Sequence, residues 1–106
     1  MSAARKHAGR VDFGAVAAAA LPVLPALAER WLPGGRREGA EYVCAGLSGG
    51  AGRSCKVNLR TGRWADFATG ERGGDAVSLA AAIARCSQVE AARNLARMLG
   101  IDGGRP

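Results

Sequence analysis

The stretch from Lys56 to Leu79, KVNLRTGRWADFATGERGGDAVSL, constrains the fold of this chain more than any other. Two short segments with alternating apolar residues flank Thr61-Gly62, a dipeptide typical of a β-hairpin turn. A glycine-rich turn then leads to Asp75, whose side chain is suited to cap the helix that follows. The sequence therefore predicts a small antiparallel sheet that runs directly into a helix.

Alternating apolar residues predict three strands in all: EYVCAGL, CKVNLR and RWADF. If Thr61 and Gly62 alone form the hairpin loop, Leu59 pairs with Trp64 and both side chains face the core. Phe67 then lies on the opposite face of the sheet. On that face it is accompanied by three polar residues of the preceding strand, Lys56, Asn58 and Arg60. A register shift of one residue would exchange the two faces.

Helices are predicted on both sides of these strands. Asp12 is a plausible N-cap for the first helix, DFGAVAAAAL. Pro22 and Pro25 either kink one long helix, or Pro25 lies in the first turn of a second helix, PALAERWL. Beyond the strands, Ser87 and Glu90 form a capping-box pattern at the start of the last helix.

The predicted order of elements is α-β-β-β-α-α. It indicates an α+β fold in which a three-stranded antiparallel sheet is flanked by N-terminal and C-terminal helices. We expect one domain over residues 11–100, which suits a chain of 106 residues. Residues 1–10 read as a disordered basic tail, and residues 101–106 as a flexible C-terminal tail.

Few residues could support catalysis. His7 is the single histidine, and it lies in the N-terminal tail, which argues against a histidine-based general base. The acidic residues form no close pair, and ATGERGGDA lacks the GxxxxGK[ST] pattern of a phosphate-binding loop. Cys44 and Cys55 alone cannot complete a tetrahedral zinc site, unless an oligomer shares ligands. We therefore expect a non-catalytic protein with no catalytic residues, no metal and no cofactor.

The cellular setting is predicted from what the sequence lacks. No run approaches the roughly 20 apolar residues that a membrane span requires, and no convincing signal-peptide cleavage site follows the basic N-terminus. The three cysteines are an odd number without CxxC spacing, as expected of reduced thiols. We expect a cytoplasmic protein that does not bind membranes.

The net charge of +6 favours a polyanionic partner. The excess of arginine, alanine and glycine is equally typical of a GC-rich genome, and a basic strand face can simply be solvated. The local pattern favours nucleic acid, because aromatic residues stand among the cations. Phe67 is the better candidate for stacking on a base, whereas Trp64 suits the core better. The candidate phosphate contacts are Arg53, Lys56, Arg60, Arg63 and Arg72.

In its motif order, the chain resembles the N-terminal zinc-binding domain of bacterial and phage DNA primases. It is most similar to zinc-less versions at the front of phage and plasmid primase-helicase proteins. The likeness covers about Trp31 to Leu99. In EYVC, Cys44 stands near the first zinc ligand of the family. RSCKV and RWADFAT match two strands of the family, and GGDAVSL matches the Gly-Asp-Ala start of its helix. Asp66 and Thr69 stand where the Cys-x-x-Cys pair would be. The resemblance therefore implies a zinc-ribbon-like hairpin without zinc.

The resemblance also implies a role. Such modules help a primase engage its template, so the resemblance implies single-stranded DNA as the partner, in phage or plasmid replication, with a primase or helicase protein as a further expected partner. The alternative is a protein–protein docking module for a primase or helicase, with no direct DNA contact. Small residues on the last two helices would allow a partner to approach closely, namely Ala80, Ala84, Ala91 and Ala92.

Overall fold

A computed structural model describes residues 11–101 of the chain. The predicted tails at 1–10 and 101–106 lie outside this range, apart from Ile101, which packs against the core. The helices are α1 (Phe13–Ala20), α2 (Leu24–Trp31), α3 (Ala76–Ala84) and α4 (Gln88–Leu99). The strands are β1 (Arg36–Glu38), β2 (Glu41–Cys44), β3 (Cys55–Asn58), β4 (Trp64–Asp66) and β5 (Arg72–Gly73).

The five strands form one antiparallel sheet in the order β1-β2-β3-β4-β5. The predicted α+β class is confirmed, but the prediction of three strands is wrong. The two additional strands are the edges of the sheet, and their sequences are RRE and RG. Because these segments contain no alternating apolar residues, only their backbone pairing with β2 and β4 identifies them as strands.

The hairpin between β3 and β4 has a longer loop than predicted. Val57, not Leu59, is the partner of Trp64. Asn58 starts the turn, because its side-chain oxygen accepts hydrogen bonds from the backbone N–H groups of Arg60 and Thr61 at 2.9 and 3.1 Å. This moves the register by two residues, an even number, so the predicted faces are retained.

The helices cover one face of the sheet, which we call the core face. Tyr42, Val57 and Trp64 are consecutive partners across β2, β3 and β4, and all three are buried. The Tyr42 hydroxyl donates a 2.6 Å hydrogen bond to the Leu32 carbonyl, just after α2. The Trp64 indole N–H donates a 3.0 Å bond to the Ser78 hydroxyl, in the first turn of α3. These two bonds satisfy the polar atoms of the aromatic residues where they are buried.

The N-terminal region forms two helices rather than one kinked helix. Pro25 lies in the first turn of α2, after a 3₁₀ turn at Leu21–Val23, and Asp12 caps α1 by accepting a 3.0 Å bond from the Ala15 N–H. The helical stretch Phe13–Trp31 has 19 residues and a mean hydropathy of 1.3, which is enough by length and composition to cross a membrane. Core helices of soluble domains and N-terminal signal sequences meet the same criterion. Here 28% of the stretch is buried within the described fold, namely Val16, Ala20, Leu24, Leu27 and Ala28.

Helices α3 and α4 begin at the predicted caps. Asp75 caps α3 in a capping box with Ser78, and Ser87 caps α4 by accepting from the Glu90 N–H at 3.1 Å. Gly100 ends α4 with a φ of 76°. On α4, Ala91, Ala92, Leu95 and Ala96 are buried against the core, whereas 45% of the surface of Met98 is exposed.

Candidate nucleic-acid interface

The face of the sheet opposite the helices carries an open groove with a volume of about 570 Å³, which we call the sheet groove. It extends from Glu41, the first residue of β2, to β5 and the turn before α3. Ala65 lies at its centre, since Ala65 is the partner of Lys56 on one side and of Arg72 on the other. The remaining lining residues are Glu41, Asn58, Arg63, Trp64, Phe67, Gly73 and Gly74.

Strand alternation explains why these side chains share one face. Tyr42, Val57 and Trp64 point to the core, so their neighbours along each strand point away from it. The small side chain of Ala65 between two long cations leaves the centre of the face low. The sheet groove is therefore concave, with a small apolar residue at its centre and charged side chains along its borders.

Three cations border the sheet groove: Lys56, Arg63 and Arg72. Within residues 11–101, none of their side chains takes part in an ion pair or a hydrogen bond. Among the described residues, Glu41 is the single carboxylate that lines the groove. The groove thus has an excess of positive charge that the described part of the fold does not neutralise.

Phe67 is the exposed aromatic residue of the sheet groove, with 68% of its surface accessible. Its backbone is held by a 2.6 Å hydrogen bond from the Phe67 N–H to the Ser54 carbonyl. Trp64 contributes to the groove wall but is only 5% exposed, and its indole N–H is used by Ser78. Of the two aromatic residues predicted as stacking candidates, the structure leaves only Phe67 with an open ring face.

Two of the predicted cations do not line the sheet groove. Arg53 lies near β1, where it forms an ion pair with Glu38 at 2.7 Å, and Arg36 pairs with the same carboxylate oxygen at 2.9 Å. The hydrogen bonds from these two guanidinium groups, that of Arg53 above all, lower the pKa of Glu38. Arg60 is exposed in the β3–β4 turn, because the register lies two residues from the predicted one.

A row of buried side chains crosses the core face near one end of the hairpins. Cys44 is the partner of Cys55, and Cys55 is the partner of Asp66. Burial raises the pKa of both thiols, that of Cys55 to about 12, so both are protonated and unreactive at neutral pH. Among residues 11–101, no group of three or more His, Cys, Asp and Glu side chains is placed to hold a metal ion.

A second concavity lies among the helices, and we call it the helix groove. It has a volume of about 230 Å³ and is mainly apolar, with Trp31, Ile83 and Met98 as its larger side chains. Ala80, Ala84 and Ala91 also line it, as the docking alternative requires. Ala92 does not, because it is fully buried in the core.

Sequence reasoning missed Glu41 and Ala65 as groove residues, and it placed Asn58 on this face without giving it a role. The pattern Lys-x-Asn in β3 was a usable signal, because alternate residues of a strand share a face. Ala65 gave no such signal, since its importance comes from its two cross-strand partners. In comparisons with known proteins, no family model, no curated protein and no solved structure matches this chain.

Proposed function

We propose that the sheet groove binds single-stranded DNA and that the protein acts as a non-catalytic binding module. The observation that carries the proposal is a concave face with an exposed aromatic ring and three cations, Lys56, Arg63 and Arg72, that form no ion pair within residues 11–101. Cations of this kind contact phosphates, and a basic groove with a stacking ring is a common way to follow a single strand.

The exposed ring favours a single strand over a duplex. Phe67 can stack on a base only where that base is unpaired and turned toward the protein. A duplex would offer its phosphates to Lys56, Arg63 and Arg72 but no free base face to the ring. We therefore expect the affinity for duplex DNA to be lower than that for a single strand. Because duplex binding would come from phosphate contacts alone, a larger part of its binding free energy should be lost as salt is added.

The resemblance to primase modules enters the proposal as context. We propose a zinc-less relative of that zinc-binding domain, acting on template DNA beside a primase or helicase in the cytoplasm. Two internal hydrogen bonds support a hairpin that folds without a metal. The Cys44 thiol donates to the Gly46 carbonyl at 3.2 Å, and the Asp66 carboxylate accepts from the Ala68 N–H at 3.0 Å. Side chains thus hold the two loops that would carry zinc ligands in the metal-binding relatives.

The test compares two double variants with the same loss of charge. Arg63→Gln/Arg72→Gln removes two groove cations that have no ion pair in the described part of the chain, whereas Arg36→Gln/Arg53→Gln removes two that are paired with Glu38. Fluorescence anisotropy would be measured with labelled single-stranded and duplex DNA at two salt concentrations. We expect the groove variant to lose about tenfold in affinity at low salt, with a salt slope shallower by about 1.4, and the control to change little.

Equal losses in the two double variants would contradict the proposal, because they would mean that only net charge matters. Circular dichroism of both variants would verify that the fold is intact. If the folded wild-type protein bound no DNA even at low salt, the proposed function would be wrong.

Protein docking is the second candidate, and the helix groove is the observation that favours it. Trp31, Ile83 and Met98 expose apolar surface there, and Met98 is 45% exposed. A partner protein on this surface would bind with weak salt dependence, since the contact is mainly apolar. Substitution Met98→Asp would weaken such a partner while leaving DNA binding by the sheet groove unchanged.

A further inference from the structure

The carboxylate of Glu41 is not expected in a surface that binds only phosphate. It is the single carboxylate lining the sheet groove, and within residues 11–101 it has no ion pair and no side-chain hydrogen bond. A carboxylate repels phosphate, but it accepts hydrogen bonds from the N–H groups of nucleic-acid bases. Its position therefore suits contact with a base edge rather than with the backbone.

Asn58 stands directly beside Glu41, since the two residues are partners across β2 and β3. Its side-chain oxygen is already occupied by the backbone N–H groups of Arg60 and Thr61. Because two backbone N–H donors face this atom, it must be the oxygen of the amide, and the other atom of the amide is the NH₂ nitrogen. Both residues line the groove, so an acceptor and a donor lie side by side within the reach of one base.

We propose that Glu41 and Asn58 read the Watson–Crick edge of an unpaired guanine in the bound strand. The guanine N1–H and N2–H groups donate to the two carboxylate oxygens of Glu41. The neighbouring O6 accepts from the NH₂ group of Asn58. This inference rests on the proposed function, because it gives the same groove a base preference.

Guanine matches this pair better than the other bases do. It has two adjacent donors for the two oxygens of Glu41 and then an acceptor for Asn58. Cytosine and adenine each present one exocyclic amino group and one ring acceptor, so one oxygen of Glu41 stays unsatisfied. Thymine places a carbonyl on either side of its single N–H, and one of these carbonyls would face the carboxylate.

The test uses oligothymidine strands that differ at one central position, which carries guanine, inosine or thymine. Inosine keeps the N1–H and O6 groups of guanine but lacks the N2 amino group. We expect the wild-type protein to bind the guanine strand about tenfold more tightly than the all-thymine strand. The inosine strand should lie between them.

Two variants separate base reading from charge. Glu41→Gln keeps the shape of the side chain but places an NH₂ donor against the donors of guanine, so the preference should disappear. Its affinity for oligothymidine should rise slightly, because a negative charge is removed. Glu29→Gln removes an exposed carboxylate on α2, outside the groove, and should retain the full preference for guanine.

The inference would be overturned if the wild-type protein bound all three strands equally, or if the preference survived in Glu41→Gln. Either result would leave the proposed function standing, provided that binding to oligothymidine remained salt-dependent. Absence of binding to every strand at low salt would overturn the proposed function together with this inference.

Discussion

Two groups of cations lie on this sheet, and they differ in what the fold does with them. Near β1, Arg36 and Arg53 share the carboxylate of Glu38. Toward β5, the groove cations Lys56, Arg63 and Arg72 have no such partner within residues 11–101. The first group is neutralised in part by an ion pair inside the chain, whereas the second can pair only with something outside the described fold.

This difference shows why the charge of a segment is an incomplete guide to its binding surface. In sequence, Arg53 and Lys56 are three residues apart and look equivalent. In the sheet, Arg53 reaches the carboxylate on β1, while Lys56 lies on the central strand beside Ala65. An exposed ion pair contributes little to stability, but it reduces the charge that a phosphate can use. Pairing therefore decides which cations can contribute to binding.

The largest effect is expected from giving the groove cations an internal partner. Ala65→Glu places a carboxylate between Lys56 and Arg72, which are its cross-strand partners, so the groove becomes similar to the β1 end. We expect a loss of affinity for single-stranded DNA on the order of 50-fold at low salt, measured by anisotropy, because the carboxylate both pairs with the cations and repels phosphate. Ala65→Gln is the control for filling the groove, and a similar loss in that variant would mean that bulk, not charge, is responsible.

A smaller effect is expected from removing the exposed ring. Phe67→Ala should lower the affinity for single-stranded DNA about tenfold and leave duplex binding nearly unchanged, since only an unpaired base stacks. Phe13→Ala removes another exposed aromatic residue, on α1 and outside the groove, and should have no effect on either. If the two variants behaved alike, Phe67 would not be a contact residue.

The smallest effect is expected from releasing the paired cations. Glu38→Gln frees Arg36 and Arg53, which should raise the affinity for DNA about twofold at low salt and steepen its salt dependence. The control Glu29→Gln changes the net charge by the same amount but leaves the ion pairs of Glu38 with Arg36 and Arg53 in place. A salt titration of both variants distinguishes the two effects, and identical curves would show that the ion pairs at Glu38 do not matter.

Local chemistry made much of this fold predictable. Asp12, Asp75 and Ser87 were predictable as N-caps because a cap acts on only a few residues along the chain. The edge strands were not predictable, because RRE and RG become strands only by pairing with neighbours that are already in place. The β3–β4 register was missed for a different reason: Asn58 starts the turn through local hydrogen bonds from the N–H groups of Arg60 and Thr61, and the sequence analysis gave its side chain no such role.

The candidate site was predictable in part for the same reason. Alternation alone placed Lys56 and Phe67 on one face and Trp64 on the other. It could not show that Glu38 on β1 would pair with Arg53, which is 15 positions away in the chain. Nor could it show that Arg60 would belong to the turn. Contacts between distant segments depend on tertiary structure, and a pattern within one segment does not contain them.

The hairpin between β3 and β4 can change its length in steps of two residues without losing its two faces. Its loop has four residues, 59–62, where a loop of two would have given the same side chains to the core and to the groove. A slip of the β3–β4 pairing by one residue would instead turn Trp64 toward solvent and a cation toward the core. The composition of the groove thus depends on whether a change in register is even or odd, not on a fixed loop length. Related hairpins can therefore differ in loop size and retain the same surface.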